Sequence, residues 1–405
     1  MVISTVASGV FMWAVHTLSK VLPPGEYSVF STMFQLLNWV TIPAIGLQMV
    51  FAQQAATALG DAQQRELASA ARAVGKGVFG LWLVVAGLLA WRQQEIASTL
   101  QVMNPMALWL TLGCALTMLW LPILGGVLQG RQNFLWLGWS AIFSGVGRFA
   151  SASFIVLVLG GWAAGIVTGA LLGLLAALCV AAWQCRDLLT GAAPAFAWRG
   201  WLRRVVPLTL GFGAGQLLFS ADQVFVQSNF DRTVTDPYSA AGTLARALVA
   251  FTLPLAGVMF SKIARSVATN EDTNVLTVTL GCTLALAGGA ALGLTVLAPL
   301  VIKLGFNPKF VGIAPLLPWF AWAMVPLTLA QVLVNNLMAR ERFRVVPWLM
   351  LVAAAYLLTL WLRVPVLAKA LEPLAAFRGV VEILGGFNLL LLAVAAVFTW
   401  KKPAA

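Results

Sequence analysis

Twelve apolar runs divide this chain, each long enough to cross the hydrocarbon layer of a membrane. A membrane-spanning helix needs about 20 mostly apolar residues, since each residue advances the helix by about 1.5 Å. The runs are continuously apolar and lack the alternation of a membrane β-barrel. They predict an all-α integral membrane protein of about twelve transmembrane helices, at residues 1–20, 28–50, 71–91, 105–128, 134–159, 161–185, 203–230, 238–264, 274–303, 311–335, 344–363 and 376–400.

Composition excludes a soluble globule. Hydrophobic residues make up 61% of the chain and charged residues 9%, which is too little polar surface to coat a soluble protein of 405 residues. The net charge of +12 could suggest a nucleic-acid ligand, but the basic residues are scattered between apolar runs and form no dense basic face. We therefore expect membrane lipids, and not nucleic acid, around the protein.

The chain contains an internal repeat. Residues 27–46 and 238–257 align without a gap, and seven of their twenty positions are identical, which exceeds chance for two apolar segments. A second pair of segments, 128–134 and 337–343, shares Leu, Arg and Phe at nearly the same offset. The repeat indicates two copies of one unit. The identical pairs are Tyr27/Tyr238, Ser28/Ser239, Thr32/Thr243, Leu37/Leu248, Thr41/Thr252, Pro43/Pro254 and Gly46/Gly257.

Six predicted spans in each copy set the topology. An even number makes both copies enter from the same side, so the repeat is parallel. We expect an N-terminal six-helix lobe at 1–185, an interfacial linker at 186–202 and a C-terminal six-helix lobe at 203–405. Fifteen basic residues fall in the segments on the side of the termini and eight on the other side, which predicts cytoplasmic N- and C-termini. The first run has no charged leader or cleavage site and is interpreted as a span.

No cofactor or metal is predicted. The four cysteines lie within or at the ends of spans, without the histidines of a zinc site, and suit packing between helices. The chain contains no phosphate-binding loop of the P-loop type. The glycine-rich segment 211–215 lies inside an apolar span, where close helix packing explains it better than nucleotide binding.

Ionisable residues inside spans are the informative ones, because each is costly in hydrocarbon and normally faces a partner or a hydrated cavity. Arg148, Asp222 and Arg246 fall at similar depths in the outer half of the membrane. If Asp222 pairs with Arg246, Arg148 is left to face an anion. A structural ion pair with an outward-reaching arginine is the alternative.

Polar side chains in the spans complete the candidate cavity. Amide side chains in spans of both copies are expected to line a hydrated path or to bond helix to helix, and the sequence does not separate these roles. As coupling groups we consider His16, which as a histidine titrates near neutral pH, and the carboxylates Asp222 and Glu382. The amides are Gln35, Asn38, Gln216, Gln331 and Asn335.

Three segments resemble the polysaccharide transporter (oligosaccharide flippase) family of the multidrug/oligosaccharidyl-lipid/polysaccharide (MOP) flippase superfamily. Residues 22–30, Leu-Pro-Pro-Gly-Glu-Tyr-Ser-Val-Phe, resemble the family pattern after its first span. Residues 220–226 with 238–246 are similar to its span 7–8 signature, and 315–317 with 337–343 to the end of its span 10. Ser28 replaces the usual glycine, and the N-terminus looks shorter than the family's.

The resemblance implies a MATE-like fold of two six-helix lobes that open alternately to each face. It implies a non-enzymatic flippase for an undecaprenyl-diphosphate-linked oligosaccharide in the bacterial inner membrane, serving polysaccharide synthesis such as O-antigen, capsule, exopolysaccharide or lipopolysaccharide. A glycan polymerase or another assembly protein would be a partner. Pro43 with Gly46 and Pro254 with Gly257 are candidate hinges, and static kinks are the alternative.

Two other functions remain open. A cation-coupled multidrug or small-molecule antiporter of the same superfamily would exchange ions through a cavity carboxylate such as Asp222, which the excess of arginine disfavours. A membrane glycan polymerase or transferase would need carboxylate or histidine chemistry in an outer loop, and the outer loops here are short.

Overall fold

The chain folds almost entirely into helices. The computed structural model describes residues 2–58, 60–189, 196, 198–232, 234–249, 275–340, 342–370 and 372–400, and no strand occurs among them. This confirms the predicted all-α class. The described chain divides into two compact units, Met1–Val206 and Pro207–Ala405.

The first unit contains seven helices and the start of an eighth. Helix α1 is followed by a 3-10 helix, Val15–Lys20, and the short α7 precedes α8, which begins at Trp198 inside the segment predicted as a linker. The helices are α1 (Val2–Ala14), α2 (Glu26–Thr57), α3 (Asp61–Thr99), α4 (Met106–Gly130), α5 (Phe134–Leu159), α6 (Trp162–Gln184), α7 (Arg186–Leu189) and α8 (Trp198–Asn229).

The second unit holds most of α8 and five further helical segments. Short 3-10 helices at Pro308–Leu316 and Phe343–Val345 precede two of them. The helices are α9 (residues 234–249), α10 (Val275–Gly305), α11 (Leu317–Ala339), α12 (Val346–Ala370) and α13 (Pro373–Trp400). The candidate hinge residues Pro254 and Gly257 lie outside the described residues.

Nine helical segments within the described residues are long and apolar enough to cross a membrane. They correspond to nine of the twelve predicted spans. Of the other three, the predicted span 1–20 is interrupted, since α1 ends at Ala14 and the hydroxyl of Thr17 donates to the Ala14 carbonyl at 2.6 Å, which competes with the helical ladder. Helix α8 covers the predicted span 203–230 up to Asn229, and the predicted span 238–264 is described only to residue 249.

Helix α3 is far longer than the predicted span 71–91. It runs for 39 residues because polar turns, which hydropathy does not report, extend it at both ends. At the start, the side chain of Gln63 accepts a hydrogen bond from the Gly60 backbone. The next turns bury Leu67 and Ala71 in a core cluster with Phe51 and Val127, which holds the polar end of the helix in place.

Small residues bring the helices of the first unit together. A Cβ atom on Gly126 of α4 would lie 2.9 Å from the Cβ of Phe51 in α2, and Gly130 one turn later meets the α2 backbone. Gly169 and Gly173 of α6 contact the α5 backbone in the same way, at Ala152 and Arg148. Without a hydrophobic driving force between helices in lipid, such close approach supplies the packing energy.

An ion pair closes one end of the first unit. Arg131, just after α4, donates to Asp187 of α7 at 2.6 Å and to the Gln64 side chain of α3 at 3.0 Å. Three segments distant in sequence are therefore joined at one guanidinium.

In the second unit α11 packs against α10 and α13. The buried amide of Asn388 in α13 donates to the Ala323 carbonyl of α11 at 2.8 Å, and Gly211 of α8 makes room for the Met338 side chain of α11. The glycine-rich segment 211–215 therefore serves helix packing, as predicted from its apolar surroundings.

Candidate functional site

Asp222 and Arg246 form a buried ion pair in the second unit. Asp222 lies on α8 and Arg246 on α9, and their side chains are 0% and 3% exposed. The Nη2 atom of Arg246 donates to Oδ2 of Asp222 at 2.5 Å. The pair that the sequence left open therefore exists in the structure.

The surroundings of Arg246 fix its orientation. Its Nε atom donates to the Phe219 carbonyl at 2.7 Å, and its guanidinium carbon lies 5.2 Å from the ring centre of Phe320. Gly242, one turn earlier, leaves no room for a Cβ beside the guanidinium. The arginine is thus held by a carbonyl, a carboxylate and an aromatic face, and its charge is compensated locally.

Two tyrosines accompany this pair. Tyr238, the first residue of the second repeat, is fully buried and donates to Oδ2 of Asp222 at 2.6 Å. Tyr356 of α12 is also fully buried and lies within electrostatic reach of Asp222 and Arg246. Within the described part of the chain, Oδ1 of Asp222, Nη1 of Arg246 and the Tyr356 hydroxyl have no hydrogen-bond partner. The cluster therefore keeps unused donors and an unused acceptor in a buried place.

A second buried arginine, Arg148, lies in the first unit. Arg148 of α5 is 4% exposed, and its guanidinium carbon lies 4.9 Å from the ring centre of Phe34 in α2. Among the described residues it has no carboxylate within ion-pair distance, and its buried Nε atom has no hydrogen-bond partner. Arg148 is thus a buried arginine whose positive charge no acidic side chain in this part of the structure neutralises.

A histidine near Arg148 contacts a buried tyrosine. The His16 Nδ1 atom and the Tyr27 hydroxyl are 3.0 Å apart, and His16 lies within electrostatic reach of Arg148. Tyr27 is the repeat counterpart of Tyr238. Each of these buried tyrosines therefore bonds to a polar side chain of the preceding helical segment, an imidazole in one copy and a carboxylate in the other.

The candidate amides fall into separate places. In α2, Asn38 donates to the buried Gln35 side chain at 2.9 Å, so two predicted cavity residues bond to each other. In the second unit, Gln331 of α11 packs against Gly215 of α8, next to Gln216. Asn335 lies about one turn beyond Gln331 and is half-buried.

Glu382 does not join the ion pair. It accepts a hydrogen bond from Arg378, one turn earlier in α13, at 3.0 Å, and both side chains are about half exposed. Arg378 also lies 3.7 Å from the ring centre of Trp319. In the first unit, the hinge candidate Pro43 lies inside a continuous α2, and Gly46 is buried.

Comparison with known proteins identifies the family. The family described as "Lipid II flippase MurJ" matches residues 77–360, well over half of the chain. The chain belongs to this flippase family. No curated protein sequence matches it.

Solved structures of the MOP superfamily share the fold. An inward-facing MATE multidrug transporter aligns with a TM-score of 0.72 at 11% identity, over 97% of this chain and 93% of its own. The lipid II flippase MurJ in an inward closed conformation aligns with a TM-score of 0.71 at 14% identity, over 98% and 87%. A MOP transporter from Pyrococcus furiosus, described with a binding pocket of reverse polarity, gives 0.60 at 12% identity, over 98% and 91%.

These findings settle the class of the protein. It is a multi-pass membrane flippase or transporter for a lipid-linked substrate and not an enzyme, because its sequence belongs to the lipid II flippase family. The predicted MOP superfamily and MATE-like fold are confirmed. The family whose model matches is the lipid II flippase family and not the polysaccharide transporter family.

Sequence reasoning missed the tyrosines as site residues. The chain has 3 tyrosines against 23 phenylalanines, and all three tyrosines are at most 1% exposed, one at His16 and two near Asp222. Buried tyrosine hydroxyls usually lie near polar groups, so the few tyrosines of this apolar chain indicate where buried polar side chains lie. Sequence reasoning also gave Glu26 no role beyond its place in the motif at residues 22–30. Its Oε2 accepts from the Ala163 backbone at 3.0 Å and so caps the start of α6.

Proposed function

We propose that this protein flips an undecaprenyl-diphosphate-linked oligosaccharide from the cytoplasmic to the outer leaflet of the bacterial inner membrane, by alternating access and with both termini in the cytoplasm. The observation that carries the proposal is the contrast between the two buried arginines. Arg246 is neutralised by Asp222, whereas Arg148 has no acidic partner among the described residues. A membership in the lipid II flippase family supports a lipid-linked cargo.

The chemistry of Arg148 suits a diphosphate. Removing one guanidinium from water costs several kcal/mol, about what strong charge-assisted hydrogen bonds to an anion can return. Its planar fork of donors matches two phosphate oxygens at once, which an ammonium cannot do. A cargo phosphate at Arg148 would supply the negative charge that no acidic side chain of the described residues provides there. Gln35 and Asn38, on the helix that carries Phe34, are then candidates for sugar hydroxyls.

The antiporter alternative is less well supported. Such an antiporter needs a carboxylate that binds a cation in one state and releases it in another. The oxygen Oδ2 of Asp222 already accepts from Arg246 and Tyr238, so the carboxylate is compensated inside the protein. The cationic residue Arg148 in the first unit would also repel a cationic drug.

The test is transport by the purified full-length chain in liposomes. Three cargoes are compared: lipid II, an undecaprenyl diphosphate carrying another oligosaccharide, and a cationic dye under a proton or sodium gradient. We expect movement of a lipid diphosphate between leaflets and no expulsion of the dye. Movement of lipid II alone would narrow the substrate to that lipid and reject the polysaccharide role. Dye expulsion without glycolipid movement would replace the flippase proposal with the antiporter.

A further inference from the structure

An apolar groove runs along three helices of the first unit. It has a volume of about 380 Å³ and is formed by one face each of α2, α3 and α4. Residues spaced three and four apart line it, such as Met33, Leu37 and Val40 on α2, so the groove follows the helix axes. Its size falls in the range of about 300–1,000 Å³ that is usual for ligand sites.

Two tryptophan side chains form hydrogen bonds between α3 and α4, two of the helices that line the groove. The indole of Trp82 in α3 donates to the Leu112 carbonyl of α4 at 2.8 Å. The indole of Trp109 in α4 donates to the Gln93 side chain of α3 at 2.9 Å. The groove residues Val85, Leu88 and Leu89 of α3 lie between Trp82 and Gln93 in the sequence, and the lining extends beyond both hydrogen bonds.

Nearly all of the side chains that line the groove are apolar. The polar ones are Thr111 and Arg92. The Thr111 hydroxyl is used by its own helix, since it donates to the Ala107 carbonyl at 2.7 Å. Val85 and Leu88 line the groove yet are 43% and 53% exposed, so the groove opens at the protein surface.

The lining includes one residue with the character of a membrane interface. Arg92 lies at a break in α3 where its backbone leaves helical geometry (φ −107°, ψ 16°), and Ile96 and Leu100 continue the lining beyond that break. Its guanidinium carbon is 4.9 Å from the ring centre of Trp91, which is 75% exposed. Tryptophan and arginine at the end of an apolar span mark the headgroup level of a bilayer. A phosphate of a lipid headgroup would lie at the same level.

We propose that the groove holds one acyl chain of a membrane glycerophospholipid, with the lipid phosphate at Arg92. A long narrow apolar slot suits a hydrocarbon chain, and Arg92 supplies charge complementarity to the phosphate. Arg92 also pairs with Glu95, but a guanidinium has five N–H donors and can donate to this exposed carboxylate and to a phosphate at the same time. The bound phospholipid would fill the space between α3 and the helices α2 and α4.

The experiment uses a phosphatidylethanolamine with a photoreactive group in its acyl chain, incorporated into liposomes with the full-length chain. Labelled peptides are mapped by mass spectrometry. We expect labelling concentrated on residues 33–40, 85–100 and 108–115. Ala115→Phe places a ring in the groove and should lower this labelling by about fivefold or more, since a packed site has no room for both. The matched control is Ala90→Phe, which adds the same ring to the exposed face of α3 and should leave labelling unchanged.

A second pair of variants tests the headgroup contact without filling the groove. Arg92→Gln should weaken labelling about two- to fivefold, as expected for an exposed charge interaction. Glu95→Gln frees the guanidinium and should preserve or increase labelling. Equal labelling in the Ala115→Phe and Ala90→Phe proteins would overturn the proposal. Competition by an equimolar undecaprenyl diphosphate lipid would also overturn it, by assigning the groove to the transported lipid. If Ala115→Phe does not fold, the comparison of Arg92→Gln with Glu95→Gln decides.

Discussion

The guanidinium of Arg246 and the carboxylate of Asp222 meet at 2.5 Å inside the second unit, and neither side chain reaches solvent. The two opposite charges of such a pair neutralise each other, and removal of either side chain leaves the other charge buried without a partner. The other buried arginine differs from Arg246, because Arg148 has no such carboxylate within the described chain.

Breaking the pair should destabilise the protein strongly. Asp222→Ala or Arg246→Ala leaves one charge buried alone, and each should cost about 3–5 kcal/mol of the free energy of unfolding. The double variant Asp222→Leu with Arg246→Met should lose much less than the sum of the two single changes, because both charges are gone. Thermal unfolding of the purified chain in one detergent measures this. Additive losses in the double variant would show that the two side chains do not act as a pair.

The two repeat-related tyrosines should differ in their contributions. Tyr238→Phe removes a hydrogen bond to a charged carboxylate and should cost about 1.5–3 kcal/mol, whereas Tyr27→Phe removes a bond to an imidazole and should cost about 0.5–1.5 kcal/mol. The substitution is the same and both sites are fully buried, so each variant serves as the control of the other. The unfolding midpoints of the two variants give the comparison. A larger loss at Tyr27 would contradict the assigned partners.

Glu26 should matter as a helix cap. Glu26→Ala removes the oxygen that accepts from the Ala163 backbone and the negative charge at the start of α6, and should cost about 1–2 kcal/mol. Glu26→Gln keeps an acceptor oxygen at that place and should lose less. Unfolding midpoints of both variants test the assignment. If Glu26→Gln is as unstable as Glu26→Ala, the hydrogen bond is not the source of the stabilisation.

Several parts of this arrangement could be predicted from the sequence. Hydropathy gave the helical membrane class, and the cost of burying charge pointed to Arg148, Asp222 and Arg246. The partners of these residues could not be predicted, because they come from helices distant in the chain. Glu382 shows the limit: one charged residue in a predicted span can equally face outward beside a neighbour, here Arg378.

The extent of α3 shows a second limit. Hydropathy reports only the part of a helix that lies in hydrocarbon, so the polar turns from Asp61 and the turns after Arg92 gave no signal. Hydrogen-bonding side chains within apolar helices were similarly overlooked. Tyr356 lies in a run of leucines and alanines, and only the rarity of tyrosine in this chain marks it.

The pair of Arg131 and Asp187 should make stability depend on pH at the acidic end. The hydrogen bond from Arg131 lowers the pKa of Asp187, against the opposing effect of burial. A lowered pKa in the folded state means that the unfolded state binds more protons, so stability rises with pH through this window. The stabilisation is fully present above the unfolded pKa of about 3.9 and is lost as the pH falls through the lower folded value.

The expected size is small, about 0.2–1 kcal/mol, because the Asp187 side chain is 54% exposed. Asp187→Asn removes the titrating group. The difference in unfolding midpoint between wild type and this variant should be constant near neutral pH and shrink below about pH 4. A difference that grows on acidification would reverse the sign and reject the assignment.

The most direct test of the account is the flipping rate of Arg148 variants in liposomes that contain an undecaprenyl-diphosphate-linked oligosaccharide. Arg148→Gln should fold, because it removes an uncompensated buried charge, and should lose most of the transport. Arg148→Lys keeps the charge without the fork of donors and should fall between the two. Arg65→Gln, the same change at an exposed position of α3, is the matched control and should transport like wild type. Wild-type transport by a folded Arg148→Gln protein would contradict the claim that Arg148 receives the anionic headgroup.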